Sequence, residues 1–215
     1  MNKVKIKVCG LTRPEDVQAA VKAGADAIGF VFTASPRRIT IDRALELSAY
    51  AIGGVLRIGL FLDQDRSEIE QVTAAVPLDI LQFHGSESER ECSVFKLPWL
   101  KAVAMEDANS IMRAERDYPG AEGLLLDSHS KGKRGGSGQL FDWSLARPVM
   151  KPIWLAGGLN ADNVKRAIHT VRPYAVDVSS GVESEPGIKD SSRISAFVQA
   201  VRQAENEQQM EEIDD

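Results

Sequence analysis

Apolar and polar positions follow one another in a repeating order along the chain. Val4, Ile6 and Val8 alternate with Lys3, Lys5 and Lys7, which predicts a first strand. Thr12 and Glu15 then stand at capping-box spacing with Pro14 in the first turn. Val17, Ala20 and Val21 give a helical face, and Gly24 ends it. Residues 27–32 form a nearly continuous apolar run, as expected of a strand covered on both faces. Thr40 is expected to cap a second helix whose buried face is Ile41, Ala44, Leu45, Ala49 and Ile52. Residues 56–61 predict the third strand, and Asp65 with Glu68 repeats the capping spacing before a helix lined by Ile69, Val72 and Val76. Strands four, five and six fall on residues 80–83, 100–103 and 123–126. The helix after strand four is poorly patterned, and the one after strand six, around Trp143–Leu145, is very short. Residues 153–156 and 175–178 are the last two strands, each followed by a well-patterned helix.

Strands thus begin near residues 4, 27, 56, 79, 99, 123, 152 and 175, with gaps of 20 to 29 residues. That spacing suits parallel strands joined by crossover helices. Eight such units predict a closed (βα)8 TIM barrel, and no Gly-x-Gly-x-x-Gly follows the first strand to favour an open doubly wound sheet. The barrel is expected to be one catalytic domain over residues 1–203. The remaining stretch, residues 204–215, is an acidic tail expected to be frayed helix or disordered.

Composition changes this picture little. The formal net charge is −5, but the tail holds six acids and no Lys or Arg. Setting those six aside leaves 25 acidic residues against 26 basic ones, so the body can accept an anionic substrate. No apolar stretch reaches the ~18 residues of a membrane span, and the N-terminus alternates too strictly for a signal peptide, so no membrane partner and a cytoplasmic location are expected. Two cysteines, Cys9 and Cys92, are too few for a disulfide framework.

Candidate chemistry lies at the C-terminal ends of the strands, where parallel barrels carry their reactive groups. Those positions hold Cys9, residues 32–38, Asp63, His84, Asp127, Gly157 and Asp177. Cys9 reads either as a small buried hydrophobe or as a base, for which it must lose a proton with a reference pKa of ~8.5. Asp127 reads either as a cap or as a general acid, for which it must keep a proton far above the reference pKa of ~3.9. Arg37 and Arg38 are surface charges unless one points into the mouth, where it could hold a carboxylate with two parallel hydrogen bonds. His84 fits a base, a ligand or a plain loop residue. The three histidines have no metal-ligand spacing with each other or with the cysteines, so no metal is expected. Gly157-Gly158 and Ser179-Ser180-Gly181 close strands seven and eight with small residues whose backbone N–H groups suit a phosphate. Residues 129–138 carry Lys131, Lys133 and Arg134 among glycines, a cationic lid rather than a nucleic-acid site, since no aromatic platform flanks it.

Several segments together resemble the phosphoribosylanthranilate isomerase family of tryptophan biosynthesis. They are KVCGLTRPEDV at 7–17, GADAIGFVF at 24–32, SPRRI at 35–39, LQFHG at 81–85, LLLD at 124–127, GGSG with FDW at 135–143, LAGGLNADNV at 155–164 and VDVSSGVES followed by Gly187, Lys189 and Asp190 at 176–190. The resemblance covers the chain except its tail. It implies an Amadori rearrangement of N-(5-phosphoribosyl)anthranilate by general acid–base catalysis. It puts the base on Cys9, the acid on Asp127 and the carboxylate-binding arginine on Arg38. It puts substrate contacts on His84 and Asp177, and phosphate binding on Gly157, Gly158, Ser180 and Gly181, with Gly136 in the Gly-rich loop. No cofactor is implied, because the substrate's own nitrogen serves as electron sink. A small anionic phosphorylated substrate is the expected partner, and family members occur as monomers or homodimers. Two rival readings are a sister aminoaldose isomerase of histidine synthesis, which would usually carry a carboxylate in place of Cys9, and a catalytically silent phosphate-binding barrel with a redox-sensitive thiol.

Overall fold

The computed structural model describes residues 3–128 and 141–214. Eight parallel strands close on themselves in chain order, β1-β2-β3-β4-β5-β6-β7-β8. They are β1 Lys5–Cys9, β2 Ala27–Val31, β3 Leu56–Phe61, β4 Ile80–Phe83, β5 Trp99–Ala104, β6 Gly123–Asp127, β7 Ile153–Leu155 and β8 Ala175–Val178. Closure is a parallel pairing of β1 with β8, where Lys7 stands beside Asp177. The predicted strand starts agree with these to within one residue.

Helices wrap the outside: α1 Pro14–Ala23, α2 Ile41–Ser48, α3 Arg66–Ala75, α4 Glu89–Cys92, α5 Ser110–Asp117, α6 Val164–Val171 and α7 Ser191–Asp214. Among the described residues between β6 and β7, a 3₁₀ turn at Trp143–Leu145 stands in the helix position, as the short apolar pattern there predicts. A two-stranded hairpin of β9 Glu183–Glu185 and β10 Ile188–Lys189 lies between β8 and α7.

Two apolar layers follow from strand alternation. Outward-facing side chains such as Ile6, Val8, Ile28, Phe61, Leu81, Leu124 and Val176 pack under the helices. Inward-facing Ala27, Ile58, Leu100, Leu125, Trp154 and Ala175 form a plug inside the barrel.

Local signals were read less well than the period. Thr40 caps α2 as expected, accepting from the Arg43 N–H at 3.2 Å. Thr12 caps nothing: α1 starts at Pro14 behind Arg13, and the Thr12 hydroxyl donates to the Gly187 carbonyl at 2.6 Å. Asp65 occupies the N-cap of α3 without a side-chain cap bond. A full capping box exists instead at Ser88 and Glu91, where four residues of helix need it most. On α2 the core takes Ala44, Leu47 and Ser48, and Leu45 and Ile52 face solvent. The expected face was rotated by one position.

The expected boundary at residue 203 falls inside α7, which runs to Asp214. Ala204 and Gln208 are buried, Lys165 bonds Glu207 at 2.6 Å, and His169 Nε2 lies 3.3 Å from Glu207 Oε2. Continuation of the apolar face of Ile194, Phe197, Val198 and Val201 by one more turn carries the helix past the boundary. Among the described residues no helix is long and apolar enough to cross a membrane.

Candidate active site

One pocket opens at the C-terminal ends of the strands. Cys9, Arg37, Gln82, His84, Asp127, Gly157, Gly158, Asp177, Ser179 and Ser180 are among its lining residues. Cys9 is the last residue of β1 and faces inward because Lys7, two positions earlier, does. Room for its sulfur comes from Gly29 on β2, where a Cβ would lie 2.6 Å from Sγ. Asp127 ends β6. Gly157 lets the β7 turn approach it, since a Cβ there would lie 3.0 Å from Asp127 Oδ1 and 2.7 Å from the Ser128 nitrogen.

A buried polar layer supports the pocket floor. Lys7 is fully buried, and its Nζ lies 2.8 Å from Asp177 Oδ2 and 2.8 Å from Gln82 Oε1. Burial pushes the Lys7 ammonium down, but the Asp177 carboxylate and Cys9 outweigh it and leave its pKa above the ordinary lysine value. Burial likewise pushes the Asp177 carboxyl up, against the neighbouring lysine. The two acceptors close to Nζ decide for the ion pair. Gln82 Nε2 lies 3.0 Å from His84 Nδ1, and His84 Nε2 lies 3.3 Å from Asp127 Oδ2. Burial pushes the Cys9 thiol up; Lys7 and Lys189 pull it back and Asp177 adds to the rise, with a net increase.

Arginine placement differs from expectation. Arg38 is exposed and does not line the pocket, whereas its neighbour Arg37 is buried and does. Arg37 Nε and Nη2 each donate to Glu183 at 2.7 Å, a bidentate pair. Glu183 also accepts from Lys189 Nζ at 2.8 Å, and Lys189 reaches the Ser179 carbonyl at 3.1 Å. Of the two arginines that could point into the mouth, Arg37 does so, held there by Glu183, and Arg38 is exposed. Gly10, with φ +76°, makes the space: a Cβ there would lie 2.5 Å from Arg37 Cδ.

The two small-residue turns meet at the pocket. Gly157 and Gly158 hold φ values of +81° and +68°, the left-handed region open to glycine. Gly181 touches the first turn, since a Cβ on it would fall 1.9 Å from the Leu159 carbonyl oxygen. It therefore shapes the cradle from behind, while Gly157, Gly158 and Ser180 line the pocket.

Of the expected site residues, Cys9, His84, Asp127, Gly157, Gly158, Asp177 and Ser180 come together in the pocket, and Gly181 stands directly behind it. Arg38 does not join them. Gly136 lies outside the described residues, as does the whole basic loop at 129–138. Lys7, Gln82, Glu183 and Lys189 were missed. Strand period could have found the first two, because each stands two residues before an expected site residue on the same inward face.

Comparison with known proteins agrees with this geometry. The sequence model of the family described as N-(5'phosphoribosyl)anthranilate (PRA) isomerase matches residues 6–200. An N-(5'-phosphoribosyl)anthranilate isomerase of Pseudomonas putida is 50% identical over 206 residues, covering 95% of this chain and 100% of the relative. The crystal structure of phosphoribosyl anthranilate isomerase from Thermotoga maritima superimposes with a TM-score of 0.86 at 39% identity, covering 93% of this chain and 99% of that one. Another solved isomerase, in complex with reduced 1-(o-carboxyphenylamino)-1-deoxyribulose 5-phosphate, gives a TM-score of 0.83 at 37% identity, with the same coverage. A thiol, a carboxyl, an arginine and two small-residue turns lining one pocket at the barrel mouth, together with these matches over nearly the full length, identify the chain as a member of the phosphoribosylanthranilate isomerase family.

Proposed function

We propose that this pocket performs the family's isomerisation by general acid–base catalysis, with Asp127 as acid and Cys9 as base. The substrate is N-(5'-phosphoribosyl)anthranilate, an intermediate of tryptophan biosynthesis, and the product is its 1-deoxyribulose 5-phosphate isomer. Its phosphate sits in the cradle of Gly157, Gly158 and Ser180, and its benzoate carboxylate reaches toward Arg37. Asp127 gives its proton to the furanose ring oxygen; the C1–O bond breaks and the anthranilate nitrogen takes up the positive charge as an iminium. Cys9 thiolate then removes the proton from C2, and those electrons form the C1–C2 double bond as the iminium is neutralised. Moving the 2-hydroxyl proton to C1 turns this enaminol into the aminoketone. The substrate keeps all its atoms, and no redox partner enters.

Asp177 holds Lys7 beside Cys9 and supports the base rather than reacting. Burial leaves the thiolate as the minor form of Cys9 in the free pocket. Lys7 and Lys189 are the two cations that offset this.

The observation that carries the reading is that Cys9 and Asp127 line the same pocket as Arg37, Gly157, Gly158 and Ser180. The test is to mix purified protein with freshly prepared N-(5'-phosphoribosyl)anthranilate and follow the anthranilate fluorescence. Rapid, catalytic loss of the signal is expected. Binding without turnover would mean a silent phosphate-binding barrel.

A further inference from the structure

The buried polar layer under the pocket does more than fill space. Lys7 has only hydrogens to give, so the atom of Gln82 facing it at 2.8 Å is the amide oxygen. That choice leaves the amide N–H2 pointing the other way, where it meets His84 Nδ1 at 3.0 Å. A proton on Nδ1 would face the amide hydrogens head on. Nδ1 must therefore accept, and the imidazole hydrogen sits on Nε2, 3.3 Å from Asp127 Oδ2. Flipping the amide gives no relief, because it would turn N–H2 toward a buried ammonium. Asp177 pins that ammonium from the β8 side, and Lys7 and Gln82 are shielded from water, so no solvent molecule competes for these bonds.

We propose that Lys7 and Gln82 form a polarity relay that fixes His84 in its Nε2–H tautomer and aims that hydrogen at Asp127, making all three positioning residues for the acid. The inference rests on the reading of Asp127 as general acid. Its use follows from the chemistry. When Asp127 has given up its proton, the Nε2–H held 3.3 Å from Oδ2 faces the new carboxylate and steadies it electrostatically. The same Lys7 ammonium draws the Cys9 thiol down against its burial. One ammonium thus sits beside the base and, through one amide and one imidazole, orients the partner of the acid.

The direct test is NMR of protein labelled with 15N in the histidine rings. For His84 the expected result is a protonated Nε2 and a bare Nδ1. Gln82→Glu replaces the donor facing Nδ1 with an acceptor, so Nδ1 should gain a proton and kcat should fall about tenfold or more with KM within a few-fold. His84→Gln, whose amide nitrogen can stand near the Nε2 position, should keep more of kcat than His84→Asn, whose shorter amide cannot. Lys7→Met should leave the tautomers mixed; if that variant does not fold, Gln82→Glu still decides the matter. A wild-type His84 protonated on Nδ1 would overturn the relay. So would a Gln82→Glu protein that shows the switched ring and full kcat. Failure of the acid reading looks different: Asp127→Ala would keep turnover while the wild-type ring signals stayed as expected.

Discussion

Inward-facing residues on β4, β6 and β8 change character within two positions. Ile80, Leu125 and Ala175 belong to the apolar plug. Gln82, Asp127 and Asp177, one inward step nearer the mouth, are buried polar groups that line the pocket. Both layers share the same strands, the same register and nearly the same exclusion of water. They differ in what burial does. In the plug it yields the transfer energy of apolar surface. In the polar layer it makes every unpaired group costly, so each side chain must find partners, and those partners then fix its direction. The lower layer holds the barrel together, and the upper one aims its chemistry.

That contrast can be broken by substitution. Outside the catalytic pair, the largest effect is expected for Leu125→Ala in the plug, a loss of about 2–5 kcal/mol of unfolding free energy in urea titration, with kcat per folded molecule unchanged. A large loss of kcat in folded Leu125→Ala protein would mean that the plug also tunes the chemistry. Next comes the arginine pair. Arg37→Ala should raise KM about ten- to a hundredfold, the value of ~1.5–3 kcal/mol for a hydrogen bond to a charged group. Arg38→Ala, at an exposed position, should leave KM within about twofold. Reversed effects would restore Arg38 as the carboxylate ligand.

The smallest effect concerns the Arg37 support. Burial pushes the Glu183 carboxyl up, but Arg37 and Lys189 win and hold it below the usual glutamate range. A carboxyl lowered in the folded state adds stability that is fully present above its unfolded pKa of ~4.3 and is lost as pH falls through the folded value. Glu183→Gln should therefore flatten the acid limb of the stability curve below that pH, with a modest change at neutral pH. An unchanged acid limb would show that Glu183 gains nothing from its two partners.

Much of this molecule was legible in its sequence. Strand starts could be read because each strand is covered on both faces and shows as an apolar run ended by a polar or small residue. Cys9, His84, Asp127 and Asp177 could be read because strand ends in a parallel barrel share one mouth. What failed has physical causes. Which of Arg37 and Arg38 lines the pocket was not readable, because it depends on Glu183, far along the chain. Lys7 looked like part of a charged, alternating surface pattern with Lys3 and Lys5, yet it is fully buried because Asp177 on the paired strand β8 and Gln82 across the barrel on β4 accept from it. Thr12 had cap spacing but found a carbonyl in the β9–β10 hairpin. Long-range partners overrode local signals in each case.

The central claim is that Cys9 and Asp127 divide the proton transfers between them across one pocket. It is tested most directly by measuring turnover of Cys9→Ala and Asp127→Ala alongside their affinity for the reduced 1-(o-carboxyphenylamino)-1-deoxyribulose 5-phosphate. The account predicts that each variant loses about 10²–10⁴-fold or more in kcat while binding that compound nearly as the parent does. Near-parent turnover by either variant would contradict it.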